Sequence, residues 1–282
     1  MIINFIQWNV SPEIFHIGGL SIRWYGLLFA MGFYVGYLIM ERFFKKEGVP
    51  TAILDKLAMY MIISTVIGAR LGHCLFYDFS SIKENPIEIL YIWHGGLASH
   101  GAAIGILFAL FLFARKTKIS YWWVLDRIVI VTALAGLFIR TGNLMNSEIY
   151  GHATNLPWGF IFVRDDKMLI PRHPTQIYEA LCYLAISISL LWIYYKKNGK
   201  PQPGMIFGLF LIALFIVRFV LEFLKETQVD FEKSMPLNMG QLLSIPFIIA
   251  GIVILVLSLN YKLGKSFNLE DAVKNYDSSK KV

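Results

Sequence analysis

Seven apolar stretches decide what this chain can fold into: 22–40, 57–77, 94–114, 121–140, 174–195, 204–224 and 240–260. A bilayer core about 30 Å thick is crossed by roughly 20 apolar helical residues. Helices suit that solvent because they satisfy their own backbone hydrogen bonds. Only 16% of the residues are charged and 56% are hydrophobic, whereas a soluble domain carries about 25% charged residues. The sequence therefore predicts an all-α polytopic membrane protein with about seven transmembrane helices. Residues 1–260 read as one transmembrane domain with a small extracytoplasmic cap at about 141–173, and 261–282 as a polar cytoplasmic tail. The opening "MIINFIQWNVSPEIFHIGGL" has neither a positive leader nor a small-residue cleavage site, so no cleaved signal peptide is expected.

Orientation follows from the basic residues. The segments 41–56, 115–120, 196–203 and 261–282 hold 15 of the 26 Lys and Arg, and the opposite set (1–23, 78–93, 140–173, 225–239) holds 8. The positive-inside rule then puts the N-terminus outside and the C-terminus in the cytoplasm. The net charge of +7 is accounted for by topology rather than by nucleic acid. Gly32/Gly36, Gly101/Gly105 and Gly204/Gly208 are small-xxx-small pairs that let helices approach closely in lipid. Cys74 and Cys182 lie inside apolar runs and read as packing residues. No internal repeat of the transporter kind is visible.

Ionisable groups within spans are costly and usually face a cavity or a bundle interior. At about 1.5 Å per residue, Arg70 and Arg218 lie about 20 Å above the cytoplasmic ends of their spans. His100 lies about 9 Å, Glu179 about 8 Å and Tyr25 about 4 Å below the outer ends. Arg140 sits near the outer end of the fourth span, and Glu222 one turn beyond Arg218. Several helices thus place polar groups in the outer part of the bilayer, the depth of a phospholipid headgroup. Arginine grips phosphate through paired hydrogen bonds and keeps its charge when partly buried. His100 has the pKa range of a general base. Asp126 and Arg127, near the cytoplasmic end, read as a local structural or interfacial pair. Duller readings exist for each piece: Arg218 could pair with Glu222, His100 could be a satisfied core residue, and the Asn and Glu of 143–148 could cap helix ends. The convergence at one depth favours a shared chamber. There is no His-x-x-x-His metal pair on any span, no nucleophile elbow and no phosphate-binding glycine loop.

The stretch "RTGNLMNSEIYG" (140–151) resembles the signature of the bacterial phosphatidylglycerol–prolipoprotein diacylglyceryl transferases: Arg-x-Gly-Asn, then Asn-x-Glu and Gly. "IRWYG" (22–26), "HGGLASHGA" (94–102), "HPTQIYE" (173–179) and "RFVLE" (218–222) match further blocks of that family in the same order. Ile139 and Thr141 depart from the usual residues around the arginine. The resemblance implies transfer of a diacylglyceryl group from phosphatidylglycerol to the lipobox cysteine of a prolipoprotein, with loss of glycerol phosphate. It implies a multi-pass protein of the bacterial cytoplasmic (inner) membrane with its site toward the outer leaflet, the first step of lipoprotein maturation. No cofactor or metal is required. On this reading His100, Arg140, Arg218, Tyr25 and Glu148 are catalytic candidates. Asn143, Asn146, Gly151, Glu222, Arg70, His173 and Glu179 are candidates for substrate binding or its support, with Glu222 expected to hold Arg218. The partners are phosphatidylglycerol, the lipobox segment and membrane lipids, without nucleic acid. The alternatives are a lipid or anion transporter, which would want a polar path on the cytoplasmic side, and a non-catalytic lipid-binding membrane protein, which would not need His100.

Overall fold

Among the described residues, seven helices are long and apolar enough to cross a membrane. The computed structural model of the chain describes residues 5–18, 20–91, 96, 98–226, 235–263 and 273. His94 and most of the expected tail lie outside them. In chain order the spans are α1 (Trp24–Glu47), α2 (Thr51–Phe76), α4 (Ser99–Thr117), α5 (Tyr121–Met145), α6 (Thr175–Lys196), α7 (Met205–Leu221) and α8 (Met239–Leu259), with a short α3 (Phe79–Glu84) after α2. The third span begins later than its apolar run. Gly96 takes φ +68° and Ala98 is extended, so the helix starts only at Ser99. His100 therefore sits in the first turn of α4, one residue past its start.

The chain forms two compact units. The first contains the described residues up to 39 and from 126 to 263. Within it α1 lies against α5, where Gly32 faces Ala135 and Gly36 faces Val131. Gly208 and Gly251 bring α7 and α8 together, and a Cβ on Gly208 would come 3.0 Å from the Gly251 carbonyl oxygen. Gly204, expected to pack like Gly208, instead takes φ +83° in the turn before α7. That conformation is cheap for glycine alone. The exposed N–H groups of this helix start are satisfied from α5, for the buried Asp126 carboxylate accepts from Gly204 N at 2.8 Å and Phe207 N at 2.9 Å. A carboxylate at a helix N-terminus also matches the helix dipole. Arg127 donates to the Gly199 carbonyl at 2.8 Å. Both residues thus fasten the α6–α7 connection.

The cap is a small mixed structure rather than a purely helical one. β1 (Ile6–Trp8) pairs in parallel with β4 (Phe160–Phe162), and β2 (Glu13–Ile17) pairs antiparallel with β3 (Leu20–Arg23). Phe160, Phe162 and Leu144 are buried together, with Trp8, Tyr150 and Ile177 packed around them. Trp8 Nε1 donates to the Leu144 carbonyl at 2.9 Å. This tie joins the N-terminal strand to the end of α5 across 136 residues.

The second unit spans 40–125. α2 and α4 cross so closely that a Cβ on Gly72 would approach Gly101 Cα to 2.6 Å. Gly68 and Gly105 make the neighbouring contact. Phe43, Phe44, Leu57, Leu110 and Phe113 fill its core, and Trp123 donates to Glu47 at 2.9 Å.

Candidate active site

The signature occupies the last two turns of α5 and the loop that leaves it. Glu148 is the hub of that loop. Its Oε1 accepts from Asn143 Nδ2 at 2.7 Å and from Asn146 Nδ2 at 3.1 Å. Its backbone oxygen accepts from Gln176 of α6 at 2.6 Å, and its N–H donates to the Asn143 carbonyl. Ser147 and Ile149 on either side take φ of +56° and +58°. Left-handed backbone is strained for such residues, for the β-branched Ile149 especially, and it persists where the surroundings over-determine it. Here Thr175 holds the Ile149 carbonyl at 2.9 Å.

Two glycines of the signature are fixed by close approach. A Cβ on Gly142 would meet the Tyr25 ring at 2.8 Å, so Tyr25 packs directly over the α5 end. A Cβ on Gly151 would strike the Leu224 carbonyl, His173 and Thr175. Gly151 N–H donates to the His173 carbonyl, and His152 N–H to the Leu224 carbonyl. The chain leaving α7 is thereby laid against the signature.

Arg140 points into a buried carboxylate network. Its Nε lies 2.9 Å from Oε2 of the wholly buried Glu179. That contact is ionic and off the hydrogen-bond line, since Oε2 has no hydrogen-bond partner in the strict sense. Arg140 Nη1 donates to Asn143 Oδ1 at 3.2 Å. The other Glu179 oxygen accepts from Lys225 Nζ at 3.0 Å and from the Tyr183 hydroxyl at 3.4 Å. Lys225 also reaches Glu222 Oε2 at 3.1 Å. Glu222 thus holds Lys225 and not Arg218, contrary to the expected pairing. A single turn of 3-10 helix over Glu222–Leu224 ends α7 and brings the side chain three residues on under Glu222. Glu222 is seated over Gly240 of α8, where a Cβ would come within 2.6 Å of its carboxyl carbon. Arg218 Nε is buried without a hydrogen-bond partner. The site thus offers two arginines on two helices, one of them with an unused buried donor. That arrangement suits a bound anion.

Lys225 was not legible as a site residue. Its spacing is the signal that was available, since Arg218, Glu222 and Lys225 lie four and three residues apart, on one helical face.

His173 joins the edge of this region. Its Nδ1 is 3.3 Å from the Tyr178 hydroxyl. Burial, and then the nearby His152, lower its pKa. In the cap, a hydrogen bond from Arg172 holds the Asp166 carboxyl below its ordinary range. Burial and Asp165 push the Tyr150 hydroxyl up to about 12.

The remaining candidates belong to the other unit. Arg70, 7% exposed, donates from Nε to the Ile89 carbonyl at 3.3 Å, from Nη1 to Gly96 at 3.5 Å and from Nη2 to Glu88. It ties α2 to the backbone at Glu88, Ile89 and Gly96. His100 is exposed on α4, its ring centroid 5.3 Å from Phe76 and 5.6 Å from Tyr77.

The family model described as prolipoprotein diacylglyceryl transferase matches residues 12–257. A protein of Tolumonas auensis named phosphatidylglycerol–prolipoprotein diacylglyceryl transferase is 47% identical over 256 residues, which cover 90% of this chain and 98% of that protein. Proteins of the same name from Porphyromonas gingivalis and Chloroherpeton thalassium are each 45% identical, over 89% of this chain and 94% of their own lengths.

Proposed function

The chain belongs to the prolipoprotein diacylglyceryl transferase family, and from that premise we propose how its residues divide the reaction. The enzyme is a membrane transferase of the first step of lipoprotein maturation. It moves the diacylglyceryl group of phosphatidylglycerol onto the lipobox cysteine of a prolipoprotein. The thiol loses its proton, since the thiolate is the nucleophile. Sulfur attacks the glycerol carbon that carries the phosphate ester. The carbon–oxygen bond breaks, a thioether forms, and glycerol phosphate departs with the electron pair and one more negative charge. Arg140 and Arg218 bind the phosphodiester and stabilise the charge that grows on it. Asn143, Asn146 and Glu148 hold the Arg140 turn and face the glycerol of the headgroup. Tyr25, packed over Gly142, donates to a phosphate oxygen. His100 takes the thiol proton. The membrane is the bacterial inner membrane, and the site faces the outer leaflet, where secreted cysteine and phospholipid meet.

The observation that carries this reading is the pair of arginines at the end of a carboxylate network, inside the family's signature blocks. The direct test is to incubate the purified protein with phosphatidylglycerol and a lipobox peptide and to weigh the product by mass spectrometry. A gain of the diacylglyceryl mass on the thiol is expected. An unmodified peptide, with the protein folded, would favour a lipid-binding role. His100→Gln should slow transfer by about 10²-fold or more, the usual scale of lost acid–base catalysis. Near-normal turnover would move the base to Glu148 or Tyr25.

A further inference from the structure

Lys225 is a buried cation that the transfer chemistry does not use. Its side chain is 5% exposed, and its ammonium bridges Glu179 at 3.0 Å and Glu222 at 3.1 Å. Glu179 is 0% exposed, and its other oxygen faces Arg140 Nε at 2.9 Å. One carboxylate is therefore shared between two cations, one oxygen each. An arginine alone with a carboxylate closes on it as a fork, with two parallel hydrogen bonds. Arg140 and Glu179 do not make that fork. The Nε–Oε2 contact at 2.9 Å is off the hydrogen-bond line, and the second oxygen accepts from Lys225 and from the Tyr183 hydroxyl.

We propose that Lys225 is a positioning residue that keeps Glu179 from closing on Arg140, and so leaves the guanidinium edge open to the phosphodiester. The proposal rests on the reading that Arg140 binds that phosphate. A freed Glu179 oxygen competes with the arriving phosphate for the Arg140 donors. The rival role is simpler: Lys225 neutralises Glu222 and settles the end of α7.

The two roles separate in the full-length enzyme, with thermal unfolding, steady-state kinetics and phosphatidylglycerol binding by native mass spectrometry read on each variant. Lys225→Met should raise KM and Kd for phosphatidylglycerol by about tenfold, within the range of a contact coupling. Lys225→Arg should stay within about twofold of the parent, because it can still hold the Glu179 oxygen. Lys225→Met with Glu222→Gln restores neutrality around α7, and its KM should remain raised. Lys225→Met with Glu179→Gln should recover part of the affinity, because an amide competes poorly for the arginine. Parental KM in the Lys225→Met/Glu222→Gln enzyme would overturn the proposal, as would parental KM in Lys225→Met itself. If the methionine variants do not fold, Lys225→Gln carries the same two comparisons. Arg140→Lys separates the layers. If it leaves phosphatidylglycerol affinity unchanged, the phosphate reading itself fails. If it weakens affinity while Lys225→Met does not, only the role of Lys225 falls.

Discussion

Arg70 is buried and Arg140 half-buried in their helices, and their surroundings differ in kind. Arg70 spends its donors on the backbone carbonyls of Glu88, Ile89 and Gly96. Arg140 meets a shared carboxylate, an amide oxygen and a phenol hydroxyl, those of Glu179, Asn143 and Tyr183. Backbone carbonyls cannot move away from a guanidinium without moving the chain that carries them, so Arg70 is a clamp. A carboxylate that is itself held by a second cation can leave donors open, and on the proposed reading Arg140 turns them to the phosphate. Burial alone does not distinguish these states. The identity and fixity of the partners do.

The largest expected effect separates them on activity. Arg140→Lys keeps the charge and removes the planar fork, and should lower transfer by about 10²-fold or more, the scale of a lost charge-stabilising donor, with unfolding temperature little changed. Arg70→Lys should retain most turnover. Kinetics on both purified variants would invert the comparison if Arg70→Lys proved the inactive one.

The next effect is on stability. Arg70→Met strips charged donors from three carbonyls, and each such bond is worth about 1.5–3 kcal/mol. A marked drop in unfolding temperature is expected, with KM for phosphatidylglycerol unchanged in the folded fraction. A raised KM at parental stability would make Arg70 a ligand-binding group after all.

The seven spans were legible because the bilayer imposes a length and an apolar composition on each of them. The signature residues were legible as polar groups where lipid should be, and the structure does gather Tyr25, Arg140, Asn143, Asn146, Glu148, Gly151, Glu179 and Glu222 around the ends of α5, α6 and α7. What stayed hidden depended on contacts distant in sequence. Trp8 reaches Leu144 through a single hydrogen bond that no periodicity announces. Lys225 counted only as one more loop cation, because its burial comes from the pairing of Gly151 with the chain that leaves α7. The start of the third helix was misplaced because apolar composition continues across Gly96 and Ala98, where the backbone is not yet helical.

Another arginine, buried in the cap, sharpens the comparison, because carboxylate partners alone would class Arg172 with Arg140. Its nitrogens are all engaged: Nε with Asp166 at 2.6 Å, Nη2 with Asp166 at 3.5 Å and Nη1 with Glu226 at 2.6 Å. With the fork closed and no edge left, Arg172 should serve the cap and not the substrate. Asp166→Asn should therefore lower the unfolding temperature by a few degrees and leave transfer nearly intact. The pH dependence carries the sign. Arg172 holds the native Asp166 carboxyl below its ordinary value of 3.8. The unfolded chain thus takes up the proton first as pH falls. The stabilisation is fully present well above 3.8 and is lost as pH drops through the lower native value. The gap in unfolding temperature between parent and Asp166→Asn should be constant from pH 7 to about 5, then narrow toward pH 3. A gap that widened on acidification would mean that Asp166 is protonated in the native cap, and an inactive Asp166→Asn enzyme would mean that a closed arginine fork does not mark a structural role.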